Sequence, residues 1–60
     1  MNYEETINQL KNHIRNKLYN KGLLDKRDDA WCIRYLMDFL ICDRAKAKEI
    51  YAKVRNEVMA

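Results

Sequence analysis

Apolar side chains in the first third of the chain recur at intervals of three and four residues, which is the spacing of one face of an α-helix. The stripe consists of Tyr3, Ile7, Leu10, Ile14 and Leu18. This pattern predicts a first helix over residues 2–21. Gly22 follows, and we expect it to end the helix because glycine adopts the left-handed backbone conformation at little cost.

The middle of the chain is apolar around almost the whole helical circumference. We expect Asp25 or Asp28 to cap a second helix over residues 26–42. Only Arg34 and Asp38 are strongly polar within the stretch 30–42. A helix that is apolar nearly all round has to be covered nearly all round. We therefore expect this helix at the centre of the fold, packed by the other two helices and by a second copy of the chain.

The last third of the chain predicts a third helix over residues 43–58, with Asp43 as its N-cap. Its inward stripe is Ala47, Ile50, Tyr51, Val54 and Val58. The chain has no proline and one glycine, whereas β-sheet folds need frequent turn residues. The fold class is therefore predicted to be all-α, a small three-helix domain spanning 1–60. The predicted core consists of Leu10, Ile14, Leu36, Phe39, Leu40, Ile50 and Val54.

The stretch 37–54 resembles the helix-turn-helix motif of DNA-binding proteins over roughly a third of the chain. The matching positions are Cys42 as the apolar turn residue, Asp43 as the N-cap, Arg44 as the basic residue, Ala47 as the small buried residue, and Ile50 with Tyr51 as the aliphatic pair. The family usually has glycine where Ile41 stands and a small residue where Met37 stands. The resemblance implies that the third helix is a recognition helix for the DNA major groove.

The spacing of residues on the third helix also indicates a surface that could bind DNA. At 100° per residue, Ala45, Glu49, Ala52 and Asn56 form a crest that faces away from the core, with Lys46 and Lys53 on one shoulder and Lys48 and Arg55 on the other. Small crest residues permit close approach to a groove, and the four shoulder cations suit phosphate contacts, whereas Arg44 at the start of the helix suits a contact that selects the DNA sequence. Glutamate and asparagine can read base edges. The alternative interpretation is a solvated face built from good helix formers.

The formal net charge of the chain is +3, and it is concentrated at the two ends. Residues 1–22 hold four basic against two acidic side chains, residues 23–42 hold three against four, and residues 43–60 hold five against three. This distribution permits nucleic-acid binding through the first and third helices without requiring it.

Candidate catalytic chemistry is sparse. The chain has no serine, one histidine (His13) and one glycine, so neither a nucleophile-base pair nor a glycine-rich phosphate loop is indicated. Cys32 and Cys42 stand ten residues apart, about 15 Å along a helix, so we expect free thiols. We expect no enzymatic activity, no cofactor and no metal site. No apolar run approaches a membrane span, so we expect no membrane association. Free thiols favour a cytoplasmic location.

Two functional hypotheses follow. The first is a small DNA-binding regulatory protein that binds double-stranded DNA through its third helix as a homodimer. The second is a protein-binding inhibitor or adaptor of phage or mobile-element type, which docks its helices on a larger partner. The candidate interface residues are Trp31 and Arg34 on the rim of the second helix and Ala45 and Ala52 on the third.

Overall fold

The computed structural model describes residues 2–60 as three α-helices joined by short connections. They are α1 (Tyr3–Lys21), α2 (Lys26–Leu40) and α3 (Arg44–Met59), and the described residues contain no β-strand. The all-α three-helix prediction is confirmed. The largest difference is at the end of α2, which stops two residues before the predicted limit because Ile41 turns into the left-handed region.

Local hydrogen bonds explain where the helices begin and end. The side chain of Asn2 accepts from the Glu5 backbone N–H at 2.8 Å, and that of Asp43 accepts from the Lys46 N–H at 2.8 Å. At the other end of α1, Gly22 has φ 79°, and its N–H donates to the carbonyl of Leu18 at 2.8 Å. The predicted glycine stop is confirmed, as is the Asp43 cap.

The start of α2 uses both of the aspartates that were candidates for its cap. The Asp25 carboxylate accepts from the Asp28 N–H at 2.9 Å, while the Asp28 carboxylate accepts from the Asp25 N–H at 3.1 Å. This reciprocal pair is a capping box. Asp25 is the N-cap, and Asp28 completes the box from within the helix.

One apolar core lies between the three helices. Of the predicted core residues, Leu10, Ile14, Leu36, Ile50 and Val54 are buried. Leu40 is only partly buried and packs against this cluster. The core also contains Ile7, Cys32, Ala47 and Tyr51, so the predicted inward stripe of α3 is confirmed.

Phe39 was wrongly assigned to the core, and α2 is not covered on nearly all sides. The Phe39 side chain is 47% exposed and that of Trp31 is 48% exposed. Three helices around one core leave each helix with an outer face, and α2 meets α1 and α3 through the side that carries Cys32 and Leu36. Tyr3 is a second correction, since its ring is exposed in the first turn of α1.

Candidate nucleic-acid interface

The connection between α2 and α3 has the backbone form of a tight helix-helix turn. Ile41 has φ 51° and ψ 57°, the left-handed conformation, and Asp43 returns to extended backbone as the N-cap of α3. Between them the Cys42 thiol donates to the Leu36 carbonyl at an S–O distance of 3.7 Å, which turns this side chain inward. The position at which the helix-turn-helix family usually has glycine therefore has a glycine-like backbone here.

Three further residues that carry the helix-turn-helix resemblance face the core, whereas Arg44 is exposed. Ala47 is fully buried, and Ile50 and Tyr51 are buried beside it. Met37, where the family has a small residue, is partly buried against the same core. These contacts leave the opposite side of α3 directed to solvent.

The outward side of α3 carries most of the predicted site residues. Exposed side chains there are Arg44, Ala45, Lys46, Lys48, Glu49, Ala52, Lys53 and Asn56. The structure thus brings the alanine crest and three of the four predicted shoulder cations to one accessible helix face. A face of this shape combines close approach at its centre with positive charge at its margins.

Glu49 lies between two of these lysines. Its carboxylate oxygens are 3.7 Å from the Lys46 Nζ and 4.0 Å from the Lys53 Nζ. Exposed pairs of this kind contribute little to stability and exchange readily for other partners. Within residues 2–60, Arg44 and Lys48 have no carboxylate partner, so these two cations are available to an incoming anion.

Arg55 differs from the other predicted phosphate contacts. Its side chain is partly buried, and its Nε is buried without a hydrogen-bond partner. Arg55 is therefore the least accessible of the predicted contacts.

A side-chain hydrogen bond that the sequence pattern does not reveal fixes α3 against α2. The Tyr51 phenol donates to the Asp29 carboxylate on α2. Burial, and secondly this hydrogen bond, raise the pKa of Tyr51. Nothing in the sequence singles out Asp29 as a partner of Tyr51, because an aspartate in the first turn of a helix is favourable for the helix dipole alone.

A second exposed feature runs along α2, and we call Trp31, Tyr35 and Phe39 the aromatic ridge. Ring centroids are 5.3 Å apart between Trp31 and Tyr35 and 4.6 Å apart between Tyr35 and Phe39. The ridge forms one wall of an open groove of about 390 Å³, which Arg34 and Asp38 also line. The two predicted interface residues of α2, Trp31 and Arg34, are thus brought together, and the spacing of four between the aromatic residues was the missed signal.

The two cysteines and the histidine lie outside the α3 face and pack against other side chains. Burial raises the pKa of Cys32 to about 12, and neither cysteine is bridged. His13 stacks on Trp31 with ring centroids 3.9 Å apart. Burial, and secondly the nearby Lys17, lower the pKa of His13.

Residues 2–60 contain neither a metal-ligating cluster nor a membrane-spanning helix. Across residues 2–60, no group of three His, Cys, Asp or Glu side chains is arranged to hold a metal ion. None of the helices in this range combines the length and the apolar character required to cross a membrane. Comparison with protein-family models, with curated proteins and with solved structures finds no match to this chain.

Proposed function

We propose that this chain is a small, non-enzymatic DNA-binding protein that inserts α3 into the major groove and regulates transcription as a homodimer. The observation that carries the proposal is the backbone of Ile41. A left-handed conformation costs an L-residue about 1–2 kcal/mol, and the Ile41 side chain is 91% exposed, so no packing offsets that cost. Strain of this kind persists where a particular geometry is needed, here the angle at which α3 leaves α2.

The surface chemistry of α3 supports the same function. Ala45 and Ala52 allow the helix axis to approach the groove floor, while Lys46, Lys48 and Lys53 extend toward the phosphates on either side. The N-terminal residues of a recognition helix usually meet base edges, a position that Arg44 occupies. Asn56, and Glu49 once released from its lysines, supply the polar groups that distinguish adenine and cytosine.

The proposal includes a homodimer and a cytoplasmic location. One short helix contacts few base pairs, and helix-turn-helix proteins bind two half-sites as twofold dimers. A dimer would also add the buried apolar area that a 60-residue core lacks.

The test is a salt titration of binding to a fluorescent mixed-sequence DNA duplex. The logarithm of the affinity should fall linearly with the logarithm of the salt concentration, by about one unit of slope for each phosphate contact. Lys48→Gln and Lys53→Gln should each weaken binding to every duplex and reduce the slope by about one. Arg15→Gln is the matched control, because it removes one exposed cation from α1 and should leave the slope unchanged.

A protein-binding inhibitor or adaptor is the second candidate, and Glu49 favours it. A carboxylate at the centre of the exposed α3 face repels phosphate, whereas a protein partner can pair with it. Ala45→Arg separates the two candidates: the added cation preserves or increases nonspecific DNA affinity but blocks close packing of a protein helix. Absence of duplex binding even at low salt would overturn the DNA proposal and leave the adaptor candidate.

A further inference from the structure

We infer that the outer face of α2 is a self-pairing surface, on which the α2 helix of a second copy lies antiparallel across a twofold axis near Tyr35. The inference deepens the homodimer part of the proposed function. It requires no DNA, and it holds whether or not α3 binds DNA.

The α2 helix exposes apolar rings along one side. Trp31 and Phe39 are each about half exposed, and the partly buried ring of Tyr35 lies between them, stacked on Trp31 and tilted against Phe39. Aromatic residues are enriched at protein interfaces, and large exposed apolar patches on small proteins mark association sites. His13 on α1 stacks on Trp31, so one end of the row is already held in place.

The charges beside the aromatic ridge identify a second copy of the chain as the occupant. Arg34 and Asp38 are exposed beside the aromatic ridge, and neither has a salt-bridge partner among residues 2–60. They are four residues apart, but arginine precedes aspartate, which is the less favourable order for pairing within one helix. One positive and one negative group therefore lie unpaired on the same strip of surface.

A twofold axis makes the strip that carries Arg34 and Asp38 complementary to the same strip on a second copy. In an isologous interface, residue i of one copy meets residue j of the other and the reverse. With antiparallel helices crossing near Tyr35, Trp31 lies opposite the second copy's Phe39, and Arg34 lies opposite its Asp38. Both charge pairs form at once by symmetry. A uniformly charged partner, such as nucleic acid or an anionic membrane, would be attracted by one charge and repelled by the other.

The experiment is sedimentation equilibrium of the full chain without DNA, with tryptophan emission measured over the same concentrations. The chain has a single tryptophan, and it is Trp31, so its emission reports directly on this surface. We expect dimers at high micromolar concentration and a shift of the emission to shorter wavelength as Trp31 becomes buried. A chain that remains monomeric at that concentration, or a dimer whose formation leaves the emission unchanged, would overturn the inference.

Charge reversal tests the pairing itself. Arg34→Asp places two acids on the strip and Asp38→Arg places two arginines there, so each variant alone should raise the dimer dissociation constant by at least about tenfold. An equimolar mixture of the two variants should dimerise again, because each acid then meets an arginine. The double variant Arg34→Asp/Asp38→Arg should self-associate like the unchanged chain.

Arg15→Asp is the matched control, since it makes the same charge change on the exposed side of α1 and should leave the dissociation constant unaltered. A dimer that forms equally well in both single variants uses another surface and refutes this interface. Dimerisation without duplex binding would refute the DNA proposal alone, whereas duplex binding by a strict monomer would refute this inference alone.

Discussion

The phenol of Tyr51 on α3 donates a hydrogen bond to the carboxylate of Asp29 on α2. Tyr51 is itself buried in the core, so the same residue contributes apolar contact through its ring and a directed contact through its hydroxyl. Cross-helix contacts of this kind set the rotation of one helix against another more narrowly than apolar packing does. The proposed recognition face of α3 is consequently held toward solvent by a residue on its opposite side.

Tyr51→Phe tests the energetic importance of that hydrogen bond. The change removes only the hydroxyl and leaves the Asp29 carboxylate without its partner. Hydrogen bonds to charged groups contribute about 1.5–3 kcal/mol, and we expect a loss of that size in the free energy of unfolding measured with urea. Asp29→Asn is the control, because asparagine retains an oxygen that accepts the hydrogen bond. Its loss of unfolding free energy should be smaller than that of Tyr51→Phe, and the difference isolates the contribution of the charge. A loss of less than about 0.5 kcal/mol in Tyr51→Phe would contradict the contact.

Ile41→Gly should stabilise the protein. Glycine relieves the left-handed strain of about 1–2 kcal/mol but increases the entropy of the unfolded chain, which costs about 0.5–1 kcal/mol. The Ile41 side chain makes almost no contact because it is 91% exposed, so nothing else is lost. We expect a net gain of about 0.5–1 kcal/mol by the same two terms, with Ile41→Ala giving less. A destabilised glycine variant would show that the turn is unstrained.

Leu36→Ala and Phe39→Ala should differ sharply although the two residues are only three apart. Leu36 is fully buried, and its truncation should cost about 2–5 kcal/mol, enough to unfold a domain of this size. Phe39 lies on the outer face of α2, so its truncation should change the stability of the monomer by less than about 1 kcal/mol. Thermal unfolding in the Arg34→Asp background removes any contribution from dimerisation. Equal losses would mean that Phe39 is in the core after all.

The capping box at the start of α2 predicts an acid-sensitive fold. The Asp28 N–H, and secondly the Lys21 ammonium, lower the pKa of Asp25 from 3.8 to about 2. Lys21, and secondly the Asp25 N–H, lower the pKa of Asp28 as well. A carboxyl whose pKa is lowered by folding stabilises the fold above its unfolded pKa, and this stabilisation disappears as the pH falls through the folded value.

Stability should therefore decline as the pH is lowered from about 4 toward about 2. The urea midpoint measured by circular dichroism across this interval checks the prediction. Lys21→Gln removes the cation that both carboxylates share at 2.9 Å, and it should make the decline shallower. Lys26→Gln is the control, because Lys26 is exposed and forms no salt bridge within the described chain. An unchanged slope in Lys21→Gln would remove Lys21 from the explanation.

Glu49→Gln should increase duplex affinity. The change removes the negative charge between Lys46 and Lys53, which both frees the two cations and ends the repulsion of phosphate. We expect severalfold tighter nonspecific binding at low salt and a steeper dependence on salt concentration. Glu57→Gln serves as the comparison, since Glu57 is paired with Lys11 of α1 at 2.8 Å, outside the crest and shoulders of α3. Equal gains in both variants would reflect net charge rather than the α3 face.

Local patterns in the sequence were sufficient for the three helices and for most of their ends, although the end of α2 was predicted two residues too late. Periodic apolar positions, the Gly22 stop and the Asp43 cap act over three or four residues, so they can be interpreted without knowledge of the rest of the fold. The same periodicity identified most of the core, including Leu10, Ile14 and Ile50. It also placed the alanine crest of α3 opposite the buried stripe, because two faces of one helix are related by a fixed rotation.

Only the tertiary structure decided which side of α2 is buried. Arg34 and Asp38 indicate one outward position on this helix, but the rest of its circumference is apolar and does not show how far the cover extends. The packing of α1 and α3 buried the Leu36 side and left Phe39 about half exposed. The stacking of His13 on Trp31 and the contact of Tyr51 with Asp29 likewise join residues far apart in the chain. Such pairs depend on the relative position of whole helices, which short-range spacing along the chain does not determine.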